Sequence, residues 1–268
     1  MKKTAIVGCG NMGSAIFNAM LKSEKWAVNQ LVVIEKIQNS FVDDFISKGV
    51  KRYQAIDEFP GNFEIVILAV KPQSSADVLE ELASKVDSNT LVISIMAGIS
   101  LSGMEKVLPN AQIVRCMPNT PCSIHLGMTV YCGNNAVSQK GFDLVQGMLE
   151  TMGKAFMVVD EQMIDATTAI SGSGPAYLFY FAEAMRDGAM KLGFNADQAL
   201  ILANQTLLGA STLLVDSGEN PEDLRKKVTS PGGTTEAALN SFQKNDLNKK
   251  LIEGFKAAFD RSIELGKF

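Results

Sequence analysis

The sequence predicts an α/β protein: a doubly wound, mostly parallel sheet followed by an all-helical C-terminal part. Three observations predict it. Short β-branched runs, apolar on both faces, alternate with amphipathic stretches as far as about residue 160. From about residue 161 the strand signal stops and only helix-length patterns remain. The composition, 46% apolar and 20% charged over 268 residues, is that of a globular chain long enough for one large domain or two modest ones. The expected division is therefore residues 1–160 and residues 161–268.

In the first part, Thr4 to Val7, Leu31 to Ile34, Ile65 to Ala69, Leu91 to Ile95 and Ile113 to Cys116 read as buried strands. Being apolar on both faces suits parallel strands covered by helices. Asn11 to Lys22, Ser40 to Lys48 and Ser74 to Lys85 supply the intervening helices, and strand–helix–strand units of this kind cross over right-handedly. Met128 to Cys132 and Ala155 to Val159 are candidate edge strands. In the second part, Pro175 to Leu192, Ala196 to Val215, Pro221 to Val228 and Leu247 to Leu265 read as helices. Pro175 and Pro221 suit a first helical turn, and Gly193 and Gly218 lie where helices stop. The Ala196 to Val215 stretch is apolar around much of its circumference, which points to an oligomer interface or a central core helix.

Several function classes are disfavoured at once. Lys+Arg is 25 against Asp+Glu 29, with the charges interspersed, so the clustered cations that nucleic acid requires are missing. No run approaches the roughly 18 uninterrupted apolar residues of a membrane span. The start Met1-Lys2-Lys3 is followed by Gly8, Gly10, Asn11 and Gly13, which break the apolar core a signal peptide needs. The cysteines Cys9, Cys116, Cys122 and Cys132 contain no Cys-x-x-Cys pair, which argues for free thiols in a reducing cytoplasm and against a metal site. His125 is the single histidine, so histidine-based acid–base or metal chemistry is excluded in practice.

Gly8-Cys9-Gly10-Asn11-Met12-Gly13 follows a strand and opens a helix. In this pattern Gly8 permits a tight turn, Gly10 admits a pyrophosphate and Gly13 lets helix and strand pack closely. The helix N-terminus then offers free N–H groups to phosphate. The context makes this a dinucleotide-binding loop rather than a bland glycine turn. Glu35 ends the second strand, 22 positions after Gly13. An acid there accepts ribose hydroxyls and favours NAD, whereas the adjoining Lys36 suits a 2′-phosphate; the position leaves the cofactor open. Ala69-Val70-Lys71-Pro72, Ala97-Gly98 and Met117-Pro118-Asn119-Thr120-Pro121 follow later strands, where open α/β sheets bind ligands. Lys71 either bonds a ribose hydroxyl or caps a strand in solvent.

In the helical part, Ser171-Gly172-Ser173-Gly174-Pro175 and Ser230-Pro231-Gly232-Gly233-Thr234-Thr235 each combine hydroxyls, glycines and an expected fresh helix N-terminus. One such segment is explained by capping; two suit a pocket for a small carboxylate.

Taken together and in order, these motifs resemble pyrroline-5-carboxylate reductase, and the resemblance spans the chain. It implies a Rossmann-type cofactor domain, an all-helical dimerisation domain, and reduction of the cyclic imine 1-pyrroline-5-carboxylate by NADPH or NADH in the last step of proline biosynthesis. It implies that Gly232, Gly233 and Thr234 hold the substrate carboxylate with Ser230 nearby. Thr235 would bond the ring nitrogen, and Glu161 would be an acid of the substrate region. The cofactor would lie along Gly8, Gly10, Asn11, Met12, Gly13, Glu35, Lys36, Ala69, Val70, Lys71, Pro72, Ala97, Gly98 and Asn119. A cytoplasmic homodimer, assembling further in some members, with no nucleic-acid or membrane partner and no metal, completes the expectation. Two departures concern cofactor preference: Glu35 stands where NADPH-preferring members carry a small or polar residue, and Lys227 replaces an asparagine found in some.

The residue inventory agrees with imine reduction. A carbonyl reductase must protonate a developing alkoxide, which calls for a Tyr, His or Lys acid. A cyclic imine binds already protonated, so hydride attack neutralises charge and an orienting hydroxyl suffices. The rivals are a two-domain hydroxyacid or sugar-acid dehydrogenase, for which Lys191 is the one tempting catalytic lysine, and a catalytically silent dinucleotide-binding regulator.

Overall fold

β1 (Thr4–Val7), β2 (Leu31–Ile34), β4 (Ile65–Leu68) and β5 (Leu91–Ser94) are four-residue strands buried along their whole length in the computed structural model. The structure describes residues 3–23 and 26–265; Met1 and Lys2 lie outside the described residues. With β3 (Lys51–Tyr53), β6 (Gln112–Met117), β7 (Gly127–Gly133) and β8 (Gly153–Met157) they form one eight-stranded sheet in the order β3-β2-β1-β4-β5-β6-β7-β8. The first six strands pair in parallel, β7 runs antiparallel to β6, and β8 is parallel to β7.

Both faces of the sheet are covered, as the two-sided apolar strands require. Ile6, Val33, Ile67 and Ile93 point to one core with α1 (Asn11–Lys22), α2 (Ser40–Ser47) and α5 (Gln139–Leu149), where Phe17 and Phe45 meet at 4.4 Å. Ala5, Val7, Val32, Ile34, Val66 and Val92 point to the other, with Leu79 and Leu82 of α3 (Ser75–Ala83) and Leu101 and Met104 of α4 (Leu101–Val107). The order reverses between β1 and β4, and β1, β2, β4 and β5 all end on one edge.

Three features differ from the sequence reading. The β3 edge strand was not expected: Lys-Arg-Tyr is too short and too polar to display a period. The helices α4 and α5 are crossovers that the sequence reading did not place. The third lies in Ser171 to Pro175: a helix does begin there, at Gly174, but the residues leading into it are not a loop. α6 (Gln162–Thr167) runs into a π-helical turn over Thr168–Gly172, closed by the Ser173 N–H to the Thr168 carbonyl at 2.8 Å. The Thr168 hydroxyl donates to the Ile164 carbonyl and the Ser171 hydroxyl to the Thr167 carbonyl, both four residues back. Side-chain bonds of this type compete with the α-helical ladder and widen it locally.

The chain divides into two compact units, Met1–Ser173 with Ala258–Phe268, and Gly174–Ala257. The second holds α7 (Gly174–Lys191), α8 (Ala196–Ser217), α9 (Pro221–Lys227), α10 (Thr234–Lys244) and the first part of α11 (Leu247–Leu265). Within it α7 packs on α8, and Tyr177 meets Phe255 at 5.3 Å. Along α8 only Ala199 and Ala203 are buried, while Ile201, Leu208 and Val215 are 67%, 60% and 76% exposed. By length and composition α8 is apolar enough to cross a membrane. All four cysteines are free and buried. Burial pushes the Cys9 and Cys132 thiols up to about 12, which removes thiolate chemistry at neutral pH.

Candidate active site

The glycine-rich turn is built by collisions that only glycine avoids. Gly8 has φ +93°, and a Cβ there would lie 2.8 Å from the Ala69 carbonyl group. A Cβ on Gly13 would fall 2.3 Å from the Gly8 oxygen. Gly10 is different: a Cβ there meets no atom within 4 Å, and its backbone is extended. Nothing inside the protein demands glycine at this position, so the open ground before it suits a ligand that comes close to the backbone. Gly10 also caps α1 without a side chain, and the first turn of α1 holds no acid, which leaves its N–H groups and partial positive charge available to phosphate. The residues present therefore fit a dinucleotide.

The loop is clamped by the segment after β2. Glu35 Oε2 accepts from the Cys9 N–H at 2.7 Å, and Asn39 Nδ2 donates to the Cys9 carbonyl at 3.2 Å. Glu35 Oε1 accepts from the Ile37 N–H. Arg52 on β3 donates to the Glu35 and Lys36 carbonyls and to the Gln38 side chain. Neither Asn39 nor Arg52 was singled out by sequence. Asn39 is legible in retrospect as the N-cap of α2, but its reach to Cys9 is not.

A cavity of about 270 Å³ brings Gly8, Glu35, Lys36 and Val70 together with Gln54, Ile56, Asp77 and Glu81. Asn11 and Met12 line a second cavity with Lys22 and Lys48. Ala69 follows β4 and lies against the glycine turn, and Lys71 and Pro72 continue exposed from it. Ala97 and Gly98 follow β5, with Gly98 at φ +77°. Asn119 follows β6 with both ends of its amide engaged: Nδ2 donates to the Ser171 carbonyl at 3.0 Å and Oδ1 accepts from the Met128 N–H at 2.9 Å. It is buried, and it ties the loop after β6 to the π turn.

Glu161 is likewise held. Its Oε1 accepts from the Leu101 N–H at the start of α4 and from Arg115, each at 2.8 Å. Arg115, 3% exposed, also pairs with Asp165 at 3.1 Å, and Ser262 bonds the same carboxylate oxygen.

In the helical unit, Ser230 to Gly233 is a turn with the Gly233 N–H on the Ser230 carbonyl at 2.9 Å. Pro231 sets the second position, and Gly232, at φ +72°, the third. Gly233 caps α10 without a side chain, so the N–H groups of Thr234 and Thr235 face outward with the helix dipole behind them. Glu236, which sequence reasoning missed, accepts from the Gly232 N–H at 2.8 Å and steadies the turn. A carboxylate directly after the hydroxyl motif, in the first turn of α10, is the signal that was available. Lys227 pairs with Glu219 on the surface.

Residues 161–265 match the family described as pyrroline-5-carboxylate reductase dimerisation, and residues 3–98 match one described as NADP oxidoreductase, coenzyme F420-dependent. Over 273 residues, 99% of this chain and 97% of the relative, the chain is 35% identical to pyrroline-5-carboxylate reductase from Pseudomonas aeruginosa. Among solved structures it is similar to the pyrroline-5-carboxylate reductase of Coxiella burnetii, with TM-score 0.90 and 34% identity over 100% of this chain and 99% of that one. The Plasmodium falciparum pyrroline carboxylate reductase with NADP bound gives TM-score 0.88 and 27% identity, covering 99% and 98%. The chain belongs to the pyrroline-5-carboxylate reductase family.

Proposed function

We propose that the chain reduces 1-pyrroline-5-carboxylate to proline with its glycine turn and strand-end loops on the cofactor and its Ser230–Thr235 turn on the substrate. It is an NAD(P)H-dependent oxidoreductase of proline biosynthesis, and the observation that carries this is the match to reductases of this name over nearly the full length of both chains. The residues divide as residues 1–160 for the dinucleotide and 161–268 for substrate and assembly.

The cofactor, NADPH or NADH, supplies a hydride when bound. The N–H groups of α1 and the bare backbone at Gly10 hold the pyrophosphate, and Asn11, Met12 and Gly13 continue that cradle. Glu35 and Lys36 meet the adenosine ribose. Ala69, Val70, Lys71, Pro72, Ala97 and Gly98 form the wall towards the reactive ring, and Asn119 holds the next loop in place from behind. The substrate carboxylate is assigned to the turn of Gly232, Gly233 and Thr234 with Ser230 beside them. The Gly232 and Gly233 N–H groups are held within the turn by Glu236 and the Ser230 carbonyl, and of the three the N–H of Thr234 is the one turned outward to the ligand. The Thr235 hydroxyl orients the protonated ring nitrogen. Because hydride addition to a ring nitrogen held in its protonated form would leave a neutral amine, the chain would need no strong acid there, and the Thr235 hydroxyl would have only to hold that nitrogen in place. Glu161 serves the substrate region as an anchor, fixing the start of α4 through Leu101 and Arg115. Holding the reactants in register supplies most of the acceleration.

The chain forms a homo-oligomer through the dimerisation region, and we infer a homodimer that buries the apolar outer surface of α8 between copies. A cytoplasmic site of action with neither nucleic-acid nor membrane partners fits the interspersed charges and free thiols. The test is consumption of NADH and of NADPH, measured separately with 1-pyrroline-5-carboxylate, together with detection of proline. Oxidation of neither cofactor would remove the reading.

A further inference from the structure

We propose that Glu35 makes this chain select NADH over NADPH, a specificity that rests on reading the Gly8–Gly13 turn as the dinucleotide site.

The carboxylate is placed before any ligand arrives. Its two oxygens accept from two backbone donors, Cys9 N–H at 2.7 Å and Ile37 N–H at 3.0 Å, so the side chain is fixed against the glycine turn rather than swinging into solvent. It lies on the wall of the cavity that begins at Gly8 and the end of β2, which is where an adenosine ribose sits beside such a turn. Each carboxylate oxygen has two acceptor positions, so a backbone bond to each still leaves room for a ribose 2′- or 3′-hydroxyl. A 2′-phosphate in the same place would bring a second negative charge into contact with the first, with no donor hydrogen to offer.

The surroundings do not offset that repulsion. Asp77 and Glu81 line the same cavity, so three carboxylates face it against the single ammonium of Lys36. Arg52 is the one nearby group with the fork geometry that grips a phosphate. Its guanidinium is already committed: Nε and Nη2 bond the Glu35 carbonyl at 3.1 and 2.9 Å, Nη2 also bonds the Lys36 carbonyl, and Nη1 bonds the Gln38 side chain. Recruiting it would dismantle the segment that carries Glu35. Lys36 is exposed and screened by salt, whereas Glu35 is half-buried and held.

Calorimetric titration at one fixed ionic strength tests the proposal with NADH and NADPH, and with the fragments 5′-AMP and adenosine 2′,5′-bisphosphate. The wild-type chain is expected to bind NADH at least about tenfold more tightly than NADPH, and 5′-AMP more tightly than the bisphosphate. Glu35→Gln keeps an acceptor for the loop N–H and removes the charge, and Glu35→Ser removes both. Either should move the NADH/NADPH affinity ratio towards NADPH by about tenfold or more. Equal or tighter NADPH binding by the wild type overturns the proposal without reference to any variant, and an unchanged ratio in a folded Glu35→Gln does the same. If NADPH is preferred and the imine is still reduced, the family function stands and only the role of Glu35 fails. If neither dinucleotide binds, the reading of the glycine turn falls as well.

Discussion

A side chain added at Gly10 meets no protein atom within 4 Å, whereas one at Gly8 or Gly13 collides with backbone. The three glycines of one motif thus separate into two that build the turn and one that leaves space outside it. Gly10→Val should therefore fold normally and lose NAD(P)H binding, since a branched side chain occupies the ground in front of the α1 N-terminus. A fluorescence titration giving wild-type affinity would refute this use of the loop. Thr235 sits on the first turn of α10, and removing its hydroxyl should cost about 1.5–3 kcal/mol of interaction with a charged nitrogen, roughly ten- to a hundredfold in kcat/KM. Thr235→Ala should keep its fold and cofactor affinity; unchanged kcat/KM would end the assignment. At this scale the motif residues were legible because glycine, hydroxyl and spacing are local signals. The commitments of Glu35 to Cys9, Asn119 to Ser171 and Glu161 to Arg115 were not. They join residues 26, 52 and 46 positions apart, and no local pattern encodes such a pairing.

The buried strands were the most legible elements, because three or four consecutive apolar residues between glycine-rich or polar loops have few other readings. The π turn was not legible, since Ser171-Gly172-Ser173-Gly174-Pro175 carries every sign of a loop followed by a helix start. The helix start is there, at Gly174, but a π turn takes the place of the loop, with the hydroxyls of Thr168 and Ser171 bonding back along the chain. A second device fixes this same region. Arg115 reaches from β6 to Glu161 beside α6 and to Asp165 within it, and Ser262 of α11 completes the cluster. The arginine side chain is 4% exposed, while its two carboxylate partners are 27% and 19% exposed. Arg115→Met would leave both carboxylates short of their counter-charge near the sheet. The expected loss is about 2–4 kcal/mol, below the largest values for severed buried pairs because water still reaches the acids. Urea denaturation should show a lower midpoint with an unchanged slope. A midpoint within error of the wild type would mean that the cluster contributes no net stability.

At the scale of the whole molecule, the sheet unit closes its own core while the helical unit does not. Phe17, Phe45, Ile67 and Ile93 are fully enclosed within one chain, yet most of α8 turns leucine and isoleucine outward. A helix of this composition left in water would be an aggregation hazard. It lies in the region matched to the family's dimerisation model, and the homodimer proposed above would cover it with a second copy. An interface built this way should resemble a divided core and bury at least about 2,000 Å². Leu208 tests this, because it is 60% exposed in the single chain and an aspartate there costs the isolated helix little. In a homodimer the same change places a charge in an apolar contact without a partner. Leu208→Asp should therefore sediment as a monomer or aggregate under conditions where the wild type is a dimer or a larger assembly of dimers. Its helix content and the melting of the sheet unit should change far less than its assembly. A wild-type chain that sediments as a stable, active monomer at micromolar concentration would show that α8 tolerates water. The apolar surface would then need another explanation.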